Sequence, residues 1–209
     1  MNQISVGQLY ATGARPNQRA IAKQRTREKI LAAAAKLFAR HGYEGATIRD
    51  IAKAAGMSTG AVFASFADKS DLFGEIVADE QQALEAAMLA AAEARGDKPA
   101  VLAMFYAAAE RHMADLALFQ ATMSAIWTPG LGKSLRRRLR RRPTTVLIAE
   151  AVKADLDGDE LDRTFVAELL WDAYIATLRR ASLDETPLAD VKARLRRQVA
   201  HIYAAASQA

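Results

Sequence analysis

Cysteine is absent from the 209 residues, which excludes disulfides, thiolate metal sites and a cysteine nucleophile together. Only three histidines occur, His41, His112 and His201, and their separation argues against a histidine metal cluster. No apolar run reaches the ~18 residues that a membrane span requires. The N-terminus lacks the continuous apolar centre of a signal peptide. A cytoplasmic location without a membrane partner is therefore expected. β-Branched residues are sparse, and no segment reads as a strand. Neither a nucleophile–base pair nor a glycine-rich phosphate loop is legible, so the reading names no catalytic residue, no metal and no cofactor.

What is abundant is alanine, in long segments with helical spacing. The chain is 51% hydrophobic and 25% charged, the profile of an ordinary globular protein. Its net charge of +5 is unevenly placed. Residues 1–73 hold 11 Lys/Arg against 5 Asp/Glu, and residues 74–209 hold 18 against 19. The excess positive charge sits at one end, as expected if that end meets a polyanion.

Residues 1–15 show no period and read as a tail. In QRTREKILAAAAKLFARHG, residues Ile30, Leu31, Ala34, Leu37 and Phe38 form an apolar stripe, and Gly42 is the stop. Thr47 caps a short helix with Asp50 three residues on, and Ile48, Ile51, Ala52 and Ala55 face inward before Gly56 ends it. Ser58 caps a third helix and Asp68 a longer fourth one. Pro99 suits the first turn of another, through about Leu118. Ala117–Trp127 is apolar, and helical patterns follow at Gly132–Arg142, Pro143–Leu156, Glu160–Ser182 and Pro187–Ala206, with Asp157-Gly158-Asp159 as a loop. The expected fold class is all-α.

Ala52, Gly56 and Val62 have the spacing of a helix-turn-helix. A small residue lets two helices cross, a glycine takes the left-handed turn, and a branched apolar residue locks the second helix on the first. Around them, LF followed by HGYEGATIRDIA, then AG-x-S-x-G, then F-x-x-K-x-x-L resembles the N-terminal DNA-binding domain of the TetR family of bacterial transcriptional repressors. The resemblance covers about fifty residues; the remainder matches only in being helical. It implies a tail over 1–15, a three-helix DNA-binding domain over 16–73, and an effector-binding and dimerisation domain over 74–209.

The resemblance further implies that the helix from Ser58 enters the major groove of operator DNA. Thr59 and Ala61 are short enough to meet base edges, and Gly60 leaves room for close backbone approach. Ser58, Phe63 and Ala64 complete that surface, while Thr47, Arg49 and Lys69 serve phosphates. Two positions depart from the family: Phe63 stands where tyrosine is usual, and Ser65 where histidine or tyrosine is frequent. Arg15, Arg19, Lys23, Arg25 and Arg27 extend the basic surface, as further DNA contacts or as a tail that is solvated or packed on its own dimer.

The implied partners are double-stranded DNA, a second copy of the chain and a small-molecule effector. Large residues available to an effector cavity are Phe105, Phe119, Met123, Trp127, Trp171 and Tyr174. The dimer contact is expected on the last two helices, whose Phe165, Val166, Leu169, Leu170, Val199 and Ile202 look surplus to one domain's needs. The run Lys133–Arg142 carries six arginines and reads best as a solvated face. The resulting expectation is a repressor that binds a palindromic operator as a dimer and is released by its effector. The alternatives are a helical small-molecule carrier or enzyme with a vestigial DNA-binding domain, and a nonspecific nucleoid-type DNA binder.

Overall fold

The computed structural model describes residues 18–125, 143–156 and 162–208. Among them are nine helices and no strand: α1 (Gln18–Gly45), α2 (Ile48–Ala55), α3 (Thr59–Phe63), α4 (Lys69–Glu93), α5 (Ala100–Ala114), α6 (Leu116–Ala125), α7 (Pro143–Asp155), α8 (Arg163–Asp184) and α9 (Leu188–Ala206). The protein is all-α, as its alanine content and helical periodicity imply.

Helix starts follow local capping. The side chains of Thr47, Ser58, Asp68 and Asp162 each accept from the backbone N–H three residues on, satisfying one of the donors that a helix N-terminus leaves free. Gly56 ends α2 in the left-handed conformation (φ 69°, ψ 35°), and Met57 N–H returns to Ala52 C=O at 2.9 Å. Gly42 interrupts α1 at φ 70°, ψ 175°, a backbone that side chains with a Cβ resist; one further turn follows it to Gly45. The expected helix through Leu118 breaks earlier. Asp115 leaves helical geometry and its carboxylate accepts from Leu118 N–H at 3.0 Å, so it ends α5 and caps α6.

The buried residues form two cores. The first joins α1, α2 and α3 to the start of α4 through Ile30, Phe38, Ile51, Val62, Phe66 and Phe73. An aromatic seam runs through it: Phe38 meets Phe73 edge-on at 4.8 Å between centroids, and Tyr43 lies 5.0 Å from Phe73. The second is built by α4, α5 and α7 to α9 around Met88, Phe105, Ile148, Leu170, Tyr174 and Leu195. Fully burying one such side chain contributes about 1.5–3 kcal/mol, so each core is the main support of its half.

Two helices belong to both cores. Continuous α4 gives Ile76 and Val77 to the first and Leu84 and Met88 to the second. Short α6 packs on α1, gives Leu118 and Ala125 to the first core, and gives Phe119 to the second. The expected boundary at residue 73 therefore falls inside α4 rather than in a linker.

Asp155 ties the second half together. The helix α5 has no side-chain cap of its own. Instead the Asp155 carboxylate, from the end of α7, accepts from Ala100 N–H at 2.5 Å and Val101 N–H at 3.0 Å, and from the Tyr203 hydroxyl of α9 at 2.8 Å. An acid at the C-terminal end of its own helix opposes that helix's dipole, so its presence there is explained by the cap it makes elsewhere. Burial, with Asp155 beside it, pushes the Tyr203 hydroxyl above its ordinary pKa; it stays protonated and donating. Asp155→Ala should lower stability by about 2–3 kcal/mol, because three donors lose a charged acceptor. Urea denaturation checks it, and Asp155→Asn, which keeps an acceptor, should fall between the two.

Candidate nucleic-acid interface and effector cavity

Only two residues of the α3 region enter the core: Val62 is 0% exposed and Phe66 2%. Ser58, Thr59, Gly60, Phe63 and Ala64 are exposed and Ala61 is half-exposed, so the polar and small residues share one outward surface. A Cβ added at Gly60 would meet nothing nearer than Ser58 Oγ at 3.8 Å. Packing against α1 therefore does not require glycine there. Phe63, at 56% exposure, is a large apolar ring held in solvent at the end of this helix.

Thr47 and Arg49 lie exposed at the start of α2. The Thr47 hydroxyl donates to Asp50 Oδ2 at 2.6 Å and accepts from Asp50 N–H at 3.2 Å. What this turn leaves for an anion is thus the Arg49 guanidinium and the first backbone N–H groups of α2.

Lys69 is placed otherwise than a phosphate contact needs. Its ammonium donates to the carbonyls of Tyr43 at 2.8 Å, Ala46 at 3.2 Å and Glu44 at 3.4 Å, and lies 4.4 Å from the Tyr43 ring centroid. Three donors are all that an ammonium has. Lys69 closes the end of α1 against the start of α4; toward DNA it offers charge but no remaining N–H.

Arg27 needs a similar correction as a DNA contact. Its guanidinium pairs with Glu75 of α4 through Nε and Nη2, donates from Nη1 to the Ser65 carbonyl at 2.6 Å, and lies 4.2 Å from the Phe66 ring centroid. It is a clamp joining α1, α4 and the segment that follows α3. The sequence carried a signal for this: Arg27 is seven and eleven residues before Ala34 and Phe38, on the same inward face. Lys23 and Arg25 are exposed. Arg15 and the Lys133–Arg142 run lie outside the described residues.

A cavity of about 80 Å³ lies between α4, α5, α6 and α8, where Phe119, Met123 and Trp171 stand among its walls. Phe105 and Tyr174 are fully buried behind it, with centroids 5.0 Å apart. Trp171 stacks on Tyr174 at 5.0 Å. Trp127 lies outside the described residues. The sequence reading missed the polar part of the lining: Glu80, Gln81, Arg111, His112 and Asp115. Arg111 pairs with Glu80 at 2.9 Å, and His112 Nδ1 lies 2.6 Å from the Tyr174 hydroxyl. Burial, with Arg111 adjacent, lowers the His112 pKa to about 4, and burial raises that of Tyr174. Both are neutral near pH 7. A larger hollow, about 580 Å³ beside Leu37, His41 and Lys53, is an open trough on α1 and α2.

Residues 30–76 match the family model for bacterial regulatory proteins of the tetR family. Over these residues the chain is similar to that family. Over 48 residues the chain is 52% identical to the HTH-type transcriptional repressor AcnR of Corynebacterium glutamicum, covering 23% of this chain and 26% of that one. Over 53 residues it is 49% identical to the HTH-type transcriptional regulator AcrR of Shigella flexneri, covering 25% of each. These matches thus span about a quarter of the relatives' length. The fold is shared more widely. The TetR family transcriptional regulator PfmR of Thermus thermophilus superposes with a TM-score of 0.66 at 22% identity, over 81% of this chain and 96% of that one. The fatty acid degradation regulator FadR of Bacillus halodurans gives 0.66 at 18%, over 89% and 97%.

Within the residues that match the tetR-family model, Gly60→Ala should keep or raise thermal stability, since no clash opposes the ~1 kcal/mol helix gain, while weakening the DNA binding proposed below. Lys69→Ala should do the opposite first, lowering stability by about 1–3 kcal/mol as three carbonyls lose a charged donor. Parallel melting curves and DNA titrations of the two variants check both directions.

Proposed function

We propose that the chain is a TetR-type transcriptional repressor that binds a palindromic operator as a homodimer and releases it when a small molecule fills the α4–α5–α6–α8 cavity. The observation that carries the reading is the surface of α3, whose outward residues are exposed and small while Val62 and Phe66 hold it from behind. In a tetR-family domain that surface is suited to a major groove: Thr59 and Ala61 meet base edges, Gly60 admits the backbone, and Ser58, Phe63 and Ala64 border the contact. Arg49 and the first backbone N–H groups of α2, the helix that Thr47 caps, hold phosphate, and Lys69 adds charge behind them. The chain then acts by binding, not by catalysis, and works in the cytoplasm.

The dimer face requires one revision of the sequence reading. Val166, Leu170 and Val199 are buried in the protomer's own core, and Ile202 packs against it. Val191, Leu195 and Val199 turn α9 inward. On α7, α8 and α9 the large apolar side chains left exposed among the described residues are Val146 (65%), Phe165 (57%), Leu169 (43%) and Leu183 (73%), none of them on α9. We place the two-fold contact on α7 and α8, where a second copy covers these side chains.

Release follows from the two shared helices. A ligand in the cavity presses on α6 and α4, which also line the core behind α3, so its differential affinity for two arrangements is passed to the recognition helices. Typical coupling is about 1–3 kcal/mol. The rival reading, a small-molecule carrier with an idle N-terminal domain, makes no use of the exposed α3 surface.

Selection of bound fragments from random DNA should return a palindrome with half-sites about one helical turn or a multiple apart. An unenriched pool would overturn the repressor reading. Phe165→Glu with Leu169→Glu should give monomers at micromolar concentration by sedimentation and loosen operator binding, with the fold intact by circular dichroism.

A further inference from the structure

The polar wall of the cavity has a hydrogen-bonding imbalance. Arg111 Nε is buried and has no acceptor among the described residues, although Arg111 Nη2 is used by Glu80. An unanswered buried donor is costly, so this atom asks for an acceptor. Its neighbour His112 asks for a second. Tyr174 is 0% exposed and its hydroxyl's only described polar neighbour is His112 Nδ1. The phenol is satisfied as a donor only if Nδ1 accepts its proton, which fixes the other tautomer: the hydrogen of neutral His112 sits on Nε2. No described residue accepts from that nitrogen. Arg111 and His112, consecutive residues of α5 that line one cavity, thus carry two N–H donors without a described acceptor, Arg111 Nε buried and His112 Nε2 not, and the cavity also presents the Phe119 and Trp171 rings.

The charges narrow the choice further. The guanidinium of Arg111 is matched by Glu80, and Asp115 adds a second carboxylate to the lining, against one cation. A carboxylate ligand would meet this acidic surplus. An ammonium ligand would leave both N–H groups unanswered.

We propose, resting on the reading of this cavity as the effector site, that it takes an uncharged, flat molecule bearing a carbonyl-type oxygen. That oxygen accepts from Arg111 Nε and His112 Nε2, and the ring lies against Phe119 and Trp171. The present space of about 80 Å³ is smaller than the ~150 Å³ known to seat a benzene. The ligand must therefore displace Met123, a flexible, adaptable side chain on α6. Entry then moves the helix that packs on α1.

The test uses full-length protein with Trp127→Phe, which leaves Trp171 as the only tryptophan of the two in the chain. Four probes of one ring size are titrated by saturation-transfer NMR and Trp171 fluorescence: acetophenone, ethylbenzene, benzoate and benzylamine. Acetophenone should bind about tenfold or more tightly than ethylbenzene, which has the shape without the acceptor, and more tightly than either ion. In Arg111→Met and, separately, His112→Phe, the acetophenone preference should shrink while ethylbenzene binding stays within about twofold; two variants guard against one of them failing to fold. Equal affinity for acetophenone and ethylbenzene, tighter binding of benzylamine or benzoate, or no binding of any probe would overturn the assignment. Operator affinity is measured in the same samples. If acetophenone binds as expected and the operator is still held, the ligand class stands and the effector reading fails; if the operator is never bound, only the repressor reading fails.

Discussion

A helix of five residues has almost nothing with which to hold itself. Nucleating a turn costs more than its first hydrogen bonds return, and α3 contains a glycine besides. Its position is set from outside, by the burial of Val62 and Phe66 and by the Arg27 clamp on the Ser65 carbonyl. The outward surface proposed to meet DNA depends on this anchoring. Because the inner side does all the holding, the outer side is free to be small and exposed. The weak propensity of Thr-Gly-Ala-Val-Phe is tolerated because the neighbours supply the order.

The same anchoring explains how a distant site can matter. Arg27 reaches Glu75 of α4 while touching Ser65 and Phe66, so a shift of α4 pulls on the end of α3. Farther along, α4 lines the cavity at Val77, Glu80, Gln81 and Leu84. Close-packed cores do not absorb such a displacement gradually; their side chains sit in discrete wells. A rigid helix with one end in each core is therefore suited to carry a two-state change, and α6, packed on α1, is a second such element.

The parts legible in the sequence were those fixed by local chemistry. Caps at Thr47, Ser58 and Asp68, the left-handed Gly56 and the 3.6-residue stripes depend on neighbours within a few positions, and all stand where the sequence puts them. What escaped depends on partners far along the chain. The three carbonyls that receive Lys69 come from residues 43 to 46, the acid that caps α5 comes from residue 155, and Glu75 lies 48 residues from Arg27. A charged residue read alone defaults to solvent or to DNA; only the fold shows that its charge is already used. The proposed dimer contact differs from the sequence expectation for a related reason. An apolar count along α8 and α9 cannot separate the side chains that a protomer buries itself, such as Leu170 and Val199, from those it leaves out, such as Phe165 and Leu169.

The cavity joins these points, because its polar wall is incomplete in the structure at hand. A donor such as Arg111 Nε, buried without an acceptor, costs about 1–3 kcal/mol, comparable with the whole coupling that a regulator needs. Filling that position gains the hydrogen bond, but it also requires room that Met123 and α6 presently occupy. The two terms oppose each other, and their difference, rather than the strength of either contact, decides how far ligand binding shifts α6. A ligand that satisfied the donors without entering the apolar space would bind and move nothing. One that entered without an acceptor would press on α6 while leaving the buried Arg111 Nε–H unanswered. In the proposed effector reading, coupling to α3 therefore requires both features in one molecule, so the same geometry would set specificity and response.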